Sequence, residues 1–389
     1  MTARGRQEPP TVTVLVPTSD RGQYLAECLD SILAQTLPAA QIIVVNDGSE
    51  DCTRQVIKGY PRAIDYLETD QLGKPGAINR GLELVRGEYL WIFDDDDVAF
   101  PDALERLVQP LLRRPEYGFS FSSFLSSRRP PHIDPAGRRK RRRESPIPDL
   151  DSRGFLIPLL EANFLGGAAL FARTACYGET GPFDPRLIRS QDYEMAIRIA
   201  RRYRGVRVDG GPTFHYRQHG GMRGPISDRF PSHMRLVKWL EYDQIFFREL
   251  YRTLPLTDYL PPSMSLEGHR RLAMLQRMRV MASKLLGSEV LEDLRRIGLD
   301  GDSAPLTGDE RRLIRKVATK TPYYKVGGVF DRAEILEELN SLAAASPAVR
   351  RIRRTVLRAR AGHLFTTRNL RGAMHITKSL LAPGSRNRA

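Results

Sequence analysis

Asp94 to Asp97 form four consecutive carboxylates directly after an apolar run, Leu90-Trp91-Ile92-Phe93. Like charges a few Å apart disfavour one another's ionised form, so such a tetrad needs water or a cation around it. Hard carboxylate oxygens at the carboxyl end of a buried strand suit Mg²⁺ or Mn²⁺ carrying substrate phosphates. An acidic turn that merely ends a strand is the plainer alternative. Two more polar sets follow β-branched runs: Thr18-Ser19-Asp20 after Thr11 to Val16, and Asn46-Asp47-Gly48 after Gln41 to Val45. Asp47 is a short carboxylate able to reach a planar ligand in a crevice, or to close an Asx-turn before Gly48. Lys74, between glycines, can approach a base or phosphate or remain a solvated loop lysine. Asn79, on the helix that follows, can instead hydrogen-bond nearby backbone and orient that loop.

These sets need elements to bring them together. A strand over Thr11 to Val16 should stop at Pro17, and a helix over Tyr24 to Ala34 should turn Leu25, Cys28, Leu29 and Ile32 inward. A second strand covers Gln41 to Val45 and a third Ala63 to Leu67. The spacing predicts a helix over Gly76 to Val85, ended by Gly87, then a strand over Tyr89 to Phe93 that delivers the tetrad. Strands alternating with helices of this length imply a mostly parallel sheet covered on both faces. Such sheets bind ligands beyond the carboxyl ends of their strands, so the three polar sets should converge. The chain lacks Gly-x-Gly-x-x-Gly after its first strand and lacks a Walker A sequence, which argues against a dinucleotide or P-loop enzyme.

With 389 residues, 41% hydrophobic and 28% charged, the chain suits two domains, or one large α/β domain with a helical appendage. The formal charge of +15 gathers in Arg138 to Arg143, within a proline-rich stretch near 128–148, and in Arg351, Arg353, Arg354, Arg358 and Arg360. Either block could attract an anionic lipid surface, an anionic substrate or nucleic acid. No zinc-finger spacing or aromatic platform accompanies them, which argues against nucleic acid. Three scattered cysteines, a polar N-terminus and the lack of a long apolar stretch point to a cytoplasmic protein, at most peripheral on a membrane.

Seven short motifs follow one another: Val14 to Thr18, Ile42 to Ser49, Gly73 to Asn79, Gly87 to Asp97 with Pro101, Gly181 to Asp184, Gln191 to Met195 and His215 to His219. Their order and spacing resemble the family-2 inverting glycosyltransferases. Gln191 stands where many relatives carry Glu. The resemblance implies the GT-A fold, a Rossmann-like, mostly parallel sheet flanked by helices, over 11–250. Residues 1–10 would be a flexible N-terminus and 251–389 a mostly helical C-terminal extension. It further implies a nucleotide-sugar donor, UDP-sugar first, with Mn²⁺ or Mg²⁺, and a saccharide, glycolipid or small-molecule acceptor.

By this resemblance Asp192 is the general base. Pro17, Thr18, Asp20, Asp47, Lys74, Asn79, Asp94, Asp95, Asp96, Gly166, Gly167 and Arg217 contact the donor. Asp96, Asp97 and His219 hold the metal; read from the tetrad alone, Asp95 instead faces solvent or caps the following turn. Read alone, Asp192 in the first turn of an amphipathic helix could simply favour the helix terminus. Transfer to a peptide side chain, or nucleotide-sugar binding without catalysis, are the alternatives. Apolar spacing predicts helices over Met234 to Tyr251, Gly268 to Leu286 (Leu272, Leu275, Met278 and Met281 on one face), Glu289 to Ile297, Arg311 to Ala318, Arg332 to Leu342 and Ala348 to Leu364. They could recognise the acceptor, pair two copies in a homodimer, or cover the catalytic domain.

Overall fold

A computed structural model describes residues 9–60, 64–127, 143–220, 222–223, 228, 230–301, 304–319 and 328–366. The chain divides into two compact units, one of residues 1–148 and 163–235, the other of residues 149–162 and 236–389. In the first unit the elements run β1 (Val12–Thr18), α1 (Gly22–Leu33), β2 (Gln41–Asp47), α2 (Thr53–Lys58), β3 (Asp65–Thr69), α3 (Gly73–Leu82), β4 (Tyr89–Ile92) and β5 (Val98–Ala99). They continue through α4 (Ala103–Arg113), β6 (Tyr117–Phe121), β7 (Leu125–Ser127) and β8 (Arg143–Glu144). α5 (Leu156–Glu161) belongs to the second unit. Back in the first come β9 (Leu170–Arg173), α6 (Thr174–Thr180), α7 (Gln191–Arg202), β10 (Arg204–Arg207), β11 (Phe214–Arg217), β12 (Met222–Arg223) and β13 (Phe230–Pro231).

The main sheet has seven strands in the order β10-β6-β9-β4-β1-β2-β3. All neighbours are parallel except β9, which runs antiparallel to β4 and β6. β1 and β2 are buried along their whole length, as strands covered on both faces require. Registers Thr18↔Asn46 and Asp47↔Thr69 bring the ends of β1, β2 and β3 level. β4 stops earlier, at Leu15↔Ile92, so the residues after it run beside the end of β1.

Two boundaries differ from the sequence expectation, each for a local reason. β1 continues through Pro17, which pairs with Val45. The Leu15 carbonyl accepts from Phe93 N at 2.9 Å, so Pro17, of the same parity, faces a side where β4 has ended. Its missing N–H costs nothing there. α3 begins at Gly73 rather than Gly76 because an outside carboxylate, Asp47, takes up its first amides. The predicted inner face of α1 is buried as expected: Leu25, Cys28, Leu29 and Ile32.

The second unit is helical: α8 (Arg235–Thr253, whose first residue closes the first unit), α9 (Arg270–Ser283), α10 (Gly287–Leu299), α11 (Gly308–Thr319), α12 (Ala333–Ala345) and α13 (Pro347–Thr366). The expected one-sided apolar face of α9 gives way to burial on nearly every side, Leu272 being only half-buried. Its two inward arginines are neutralised by neighbouring helices: Arg277 pairs with Asp293 and Arg271 takes a bidentate grip on Glu310 at 2.7 and 2.9 Å. Among the described residues, no helix is long and apolar enough to cross a membrane. Residues 138–142 of the expected basic loop lie outside the described residues, while Arg143 is exposed at the start of β8.

Candidate functional site

The tetrad is folded as a turn, with Asp97 N donating to the Asp94 carbonyl at 3.1 Å. That turn gathers carboxylate oxygens of Asp94, Asp96 and Asp97 to within 4.8 Å of one another. Asp97 is buried, and one of its oxygens, Oδ2, has no hydrogen-bond partner. A buried unpaired carboxylate oxygen is costly unless a cation or proton meets it. Burial first, then Asp96 and Asp94, push the Asp97 carboxyl well above its ordinary pKa, against the hydrogen bond from Arg217 N. An all-oxygen set with one orphaned member fits a hard divalent ion.

Asp95 corrects an expectation. It is half-buried rather than turned to solvent, and burial pushes its carboxyl up to about 7 although Arg21 opposes the rise. Asp96 goes the other way. Burial opposes its ionisation, but a hydrogen bond to His219 and the charge of Arg21 outweigh this and hold it down at about 2. Arg21 Nη1 lies 2.9 Å from Asp96 Oδ2, and His219 Nε2 lies 2.9 Å from the same oxygen. His219 arrives because β5, directly after the tetrad, pairs antiparallel with β11 (His215↔Val98). Arg217, expected on the donor, is committed within the protein: Nε donates to the Asp96 carbonyl at 2.8 Å, Nη2 pairs with Glu27, and the guanidinium lies 5.0 Å from the Tyr24 ring centre.

At the neighbouring strand ends, Asp47 accepts from Thr69 Oγ1 and Leu72 N on Oδ1, each at 2.7 Å, and from Gly73 N on Oδ2 at 2.8 Å. It therefore anchors the start of α3 instead of closing a local Asx-turn. Asp20, at φ 53°, latches the two loops: its N donates to Ser49 Oγ and its carboxylate accepts from Glu50 N, both at 2.9 Å. Pro17 and Thr18 are buried in β1, with Thr18 beside Asp95. Both ends of the Asn79 amide are engaged by the Phe183 main chain, each at 2.8 Å, so Asn79 holds the Gly181 to Asp184 segment.

A cleft of about 440 Å³, open to solvent, is lined by Lys74, Asp94, Gly166, Gly167, Gln191 and Asp192 among others. Lys74 Nζ pairs with Asp94. Burial disfavours its ammonium, but Asp94, then Asp192 and Asp95, overcome that and raise its pKa. Gly166 takes φ 64°, and Asn163 Oδ1 accepts from Leu165 N and Gly166 N to hold this turn. A Cβ on Gly167 would lie 3.1 Å from Asp94 Oδ2, so only glycine leaves that carboxylate its position. Asp192 lies in the first turn of α7, one residue after Gln191 opens the helix behind Ser190, which is in the left-handed region at φ 59°. Burial raises the Asp192 pKa, Lys74 lowers it, and Asp94 raises it again.

Residues 13–177 match the profile described as glycosyl transferase family 2. An uncharacterized glycosyltransferase of Rickettsia felis is 30% identical over 196 residues, 49% of this chain and 32% of the relative. Glycosyltransferase GlyA of Streptococcus pneumoniae is 36% identical over 104 residues, covering 26% and 15%. A crystal structure of S. aureus TarS 1-349 aligns over 95% of this chain and 90% of that one, with TM-score 0.49 and 14% identity. The chain spans about a third of the length of the first curated relatives it matches. Within the matched segment, sequence reasoning missed Arg21 and Glu27. Arg21 follows directly on the strand-end set Thr18-Ser19-Asp20, and that adjacency was the signal available.

Proposed function

We propose that this family 2 domain transfers a sugar from a nucleotide-sugar donor, a UDP-sugar first, to a hydroxyl of a saccharide, glycolipid or small-molecule acceptor, with inversion. The observation that carries the reading is the shared cleft. It brings a half-buried carboxylate, Asp192, together with Lys74, Asp94 and the close-approach glycines Gly166 and Gly167. Asp192 takes the proton from the acceptor hydroxyl. Burial makes it a stronger base than a solvated aspartate, and the Lys74 charge favours its ionised, proton-accepting form. Gly167 lets the donor sugar approach without displacing Asp94. Thr18 and Asp47, at the ends of β1 and β2, form the edge offered to the nucleobase, Asp47 keeping acceptor capacity beyond its three hydrogen bonds. Asp96, Asp97 and His219, with Asp94 beside them, would hold Mn²⁺ or Mg²⁺, which would neutralise the charge gathering on the departing nucleoside diphosphate.

The reading extends to location and association. Three free cysteines, two of them buried, support a reducing compartment such as the cytoplasm. α13 carries Arg350, Arg351, Arg353, Arg354 and Arg358 at least partly exposed and has no acidic residue, which supports attraction to an anionic membrane surface. Val237 and Ile245 on α8 are exposed and would support pairing of two copies, which sedimentation velocity checks: a single monomer boundary at micromolar concentration removes that pairing.

Asp192→Asn tests the catalytic core. It should reduce kcat by about 10²–10⁴-fold while UDP and Mn²⁺ binding persist. NMR of the wild-type product should show the inverted anomer. Retained configuration, or undiminished turnover in the variant, would remove Asp192 from the reaction.

A further inference from the structure

Arg21 occupies a position that neither donor chemistry nor folding alone explains. Its Nη1 sits 2.9 Å from Asp96 Oδ2 and 2.8 Å from His219 Nε2, while those two atoms are 2.9 Å apart. A ring nitrogen carries either a proton or a lone pair in that plane, so Nε2 satisfies Arg21 or Asp96 but not both. Two ligands at right angles on a hard divalent ion, with bonds of about 2.1 Å, stand about 3.0 Å apart. The Asp96–His219 edge therefore already has the span of a metal-ligand edge, and a guanidinium nitrogen contacts both of its ends.

We propose that Arg21 is a built-in substitute for the divalent cation, giving up Asp96 when the metal binds and then pairing with the diphosphate of the donor. The proposal rests on the reading of the acid turn as a metal–nucleotide site. An arginine keeps its charge at any working pH, so the metal must displace it rather than await its deprotonation. The displacement involves the side chain alone, because the Arg21 carbonyl is fixed by Tyr24 N at 2.9 Å and Leu25 N at 3.1 Å at the start of α1. The other two cations of the site are already engaged, Lys74 by Asp94 and Arg217 by Glu27 and the Asp96 carbonyl. A freed guanidinium beside a bound nucleoside diphosphate finds a planar, two-pronged match in its oxygens. Arg21 thus acts twice with one charge, first holding the carboxylates together and then holding the leaving group.

The two halves predict effects of opposite sign in one variant. In full-length Arg21→Met, Mn²⁺ alone, titrated by electron paramagnetic resonance of the free ion, should bind about tenfold more tightly than to wild type, the scale of one charge-assisted hydrogen bond removed from competition. UDP at saturating Mn²⁺, followed by calorimetry, should bind at least about tenfold more weakly. Arg21→Gln should move both affinities in the same directions, and serves if the methionine variant fails to fold. Arg21→Lys, which keeps the charge but not the fork, should leave Mn²⁺ affinity near wild type and still weaken UDP. Unchanged or weaker Mn²⁺ binding in the neutral variants overturns the proposal while leaving the metal site intact. If wild type itself takes up no Mn²⁺ even with UDP present, the metal reading fails, and the proposal falls with it.

Discussion

Replacing Asp47 by Asn separates a structural duty from a ligand-binding one. The carboxylate accepts three hydrogen bonds, two of them from Leu72 N and Gly73 N at the start of α3. An asparagine can present its oxygen to only one of these directions. In its better orientation it keeps Thr69 and Leu72 and turns a donor toward Gly73 N, leaving that buried amide unpaired. Losing one hydrogen bond to a charged acceptor costs about 1.5–3 kcal/mol. Removing a negative charge from a helix N-terminus adds about 0.3–1 kcal/mol, so the nucleotide-free protein should lose about 2–4 kcal/mol. The chain has two tryptophans, Trp91 buried in β4 and Trp239 on α8, so Trp239→Phe makes fluorescence report on the first unit. With a urea slope of about 2 kcal/mol/M, the midpoint should fall by about 1–2 M. An unchanged midpoint with weakened UDP binding would refute the anchoring role and return Asp47 to the nucleobase alone.

Two other outcomes test the electrostatics. Because Asp192 must be ionised to accept a proton and burial raises its pKa, kcat/KM should fall as pH drops through a value above that of a solvated aspartate; Lys74→Met removes a charge that lowers this pKa, so a pH–rate profile should place the acid limb at higher pH, and an unmoved limb would break the coupling. In the helical unit, Asp293→Ala leaves Arg277 buried without its partner and should cost about 3–5 kcal/mol, read from Trp239 in urea, whereas a shift below about 0.5 kcal/mol would show that the arginine reaches water.

Much of this architecture is legible before any coordinates. Strand-end polar sets after Val12–Thr18, Gln41–Asp47 and Tyr89–Ile92 converge because parallel strands point their carboxyl ends the same way. The helices of the second unit fall near their apolar repeats. Hidden from the sequence was the competition among neighbours for each polar atom. Arg217 and Asn79 carry suitable chemistry, yet Glu27, the Asp96 carbonyl and the Phe183 main chain already occupy them. Asp95 belongs to the same class of miss, since solvent exposure at a turn depends on which strand lies alongside, here β1 with Thr18. The start of α3 was misplaced because its anchor, Asp47, lies 26 residues from Gly73.

The short β4 has a consequence for how this sequence can vary over time. It holds its place between β1 and β9 by the pairs Leu15↔Ile92 and Trp91↔Phe171, and the acid turn follows without a spacer. A single inserted or deleted residue between Tyr89 and Asp94 would rotate every following side chain to the opposite face. The acid turn would then be offset, and Asp96 would no longer meet Arg21 and His219. Substitutions that preserve apolar bulk can accumulate in β4, but changes in length cannot. Lineages of this domain should therefore record gaps in the segments that join its elements, while the count from Tyr89 to Asp97 stays constant even where identity has decayed.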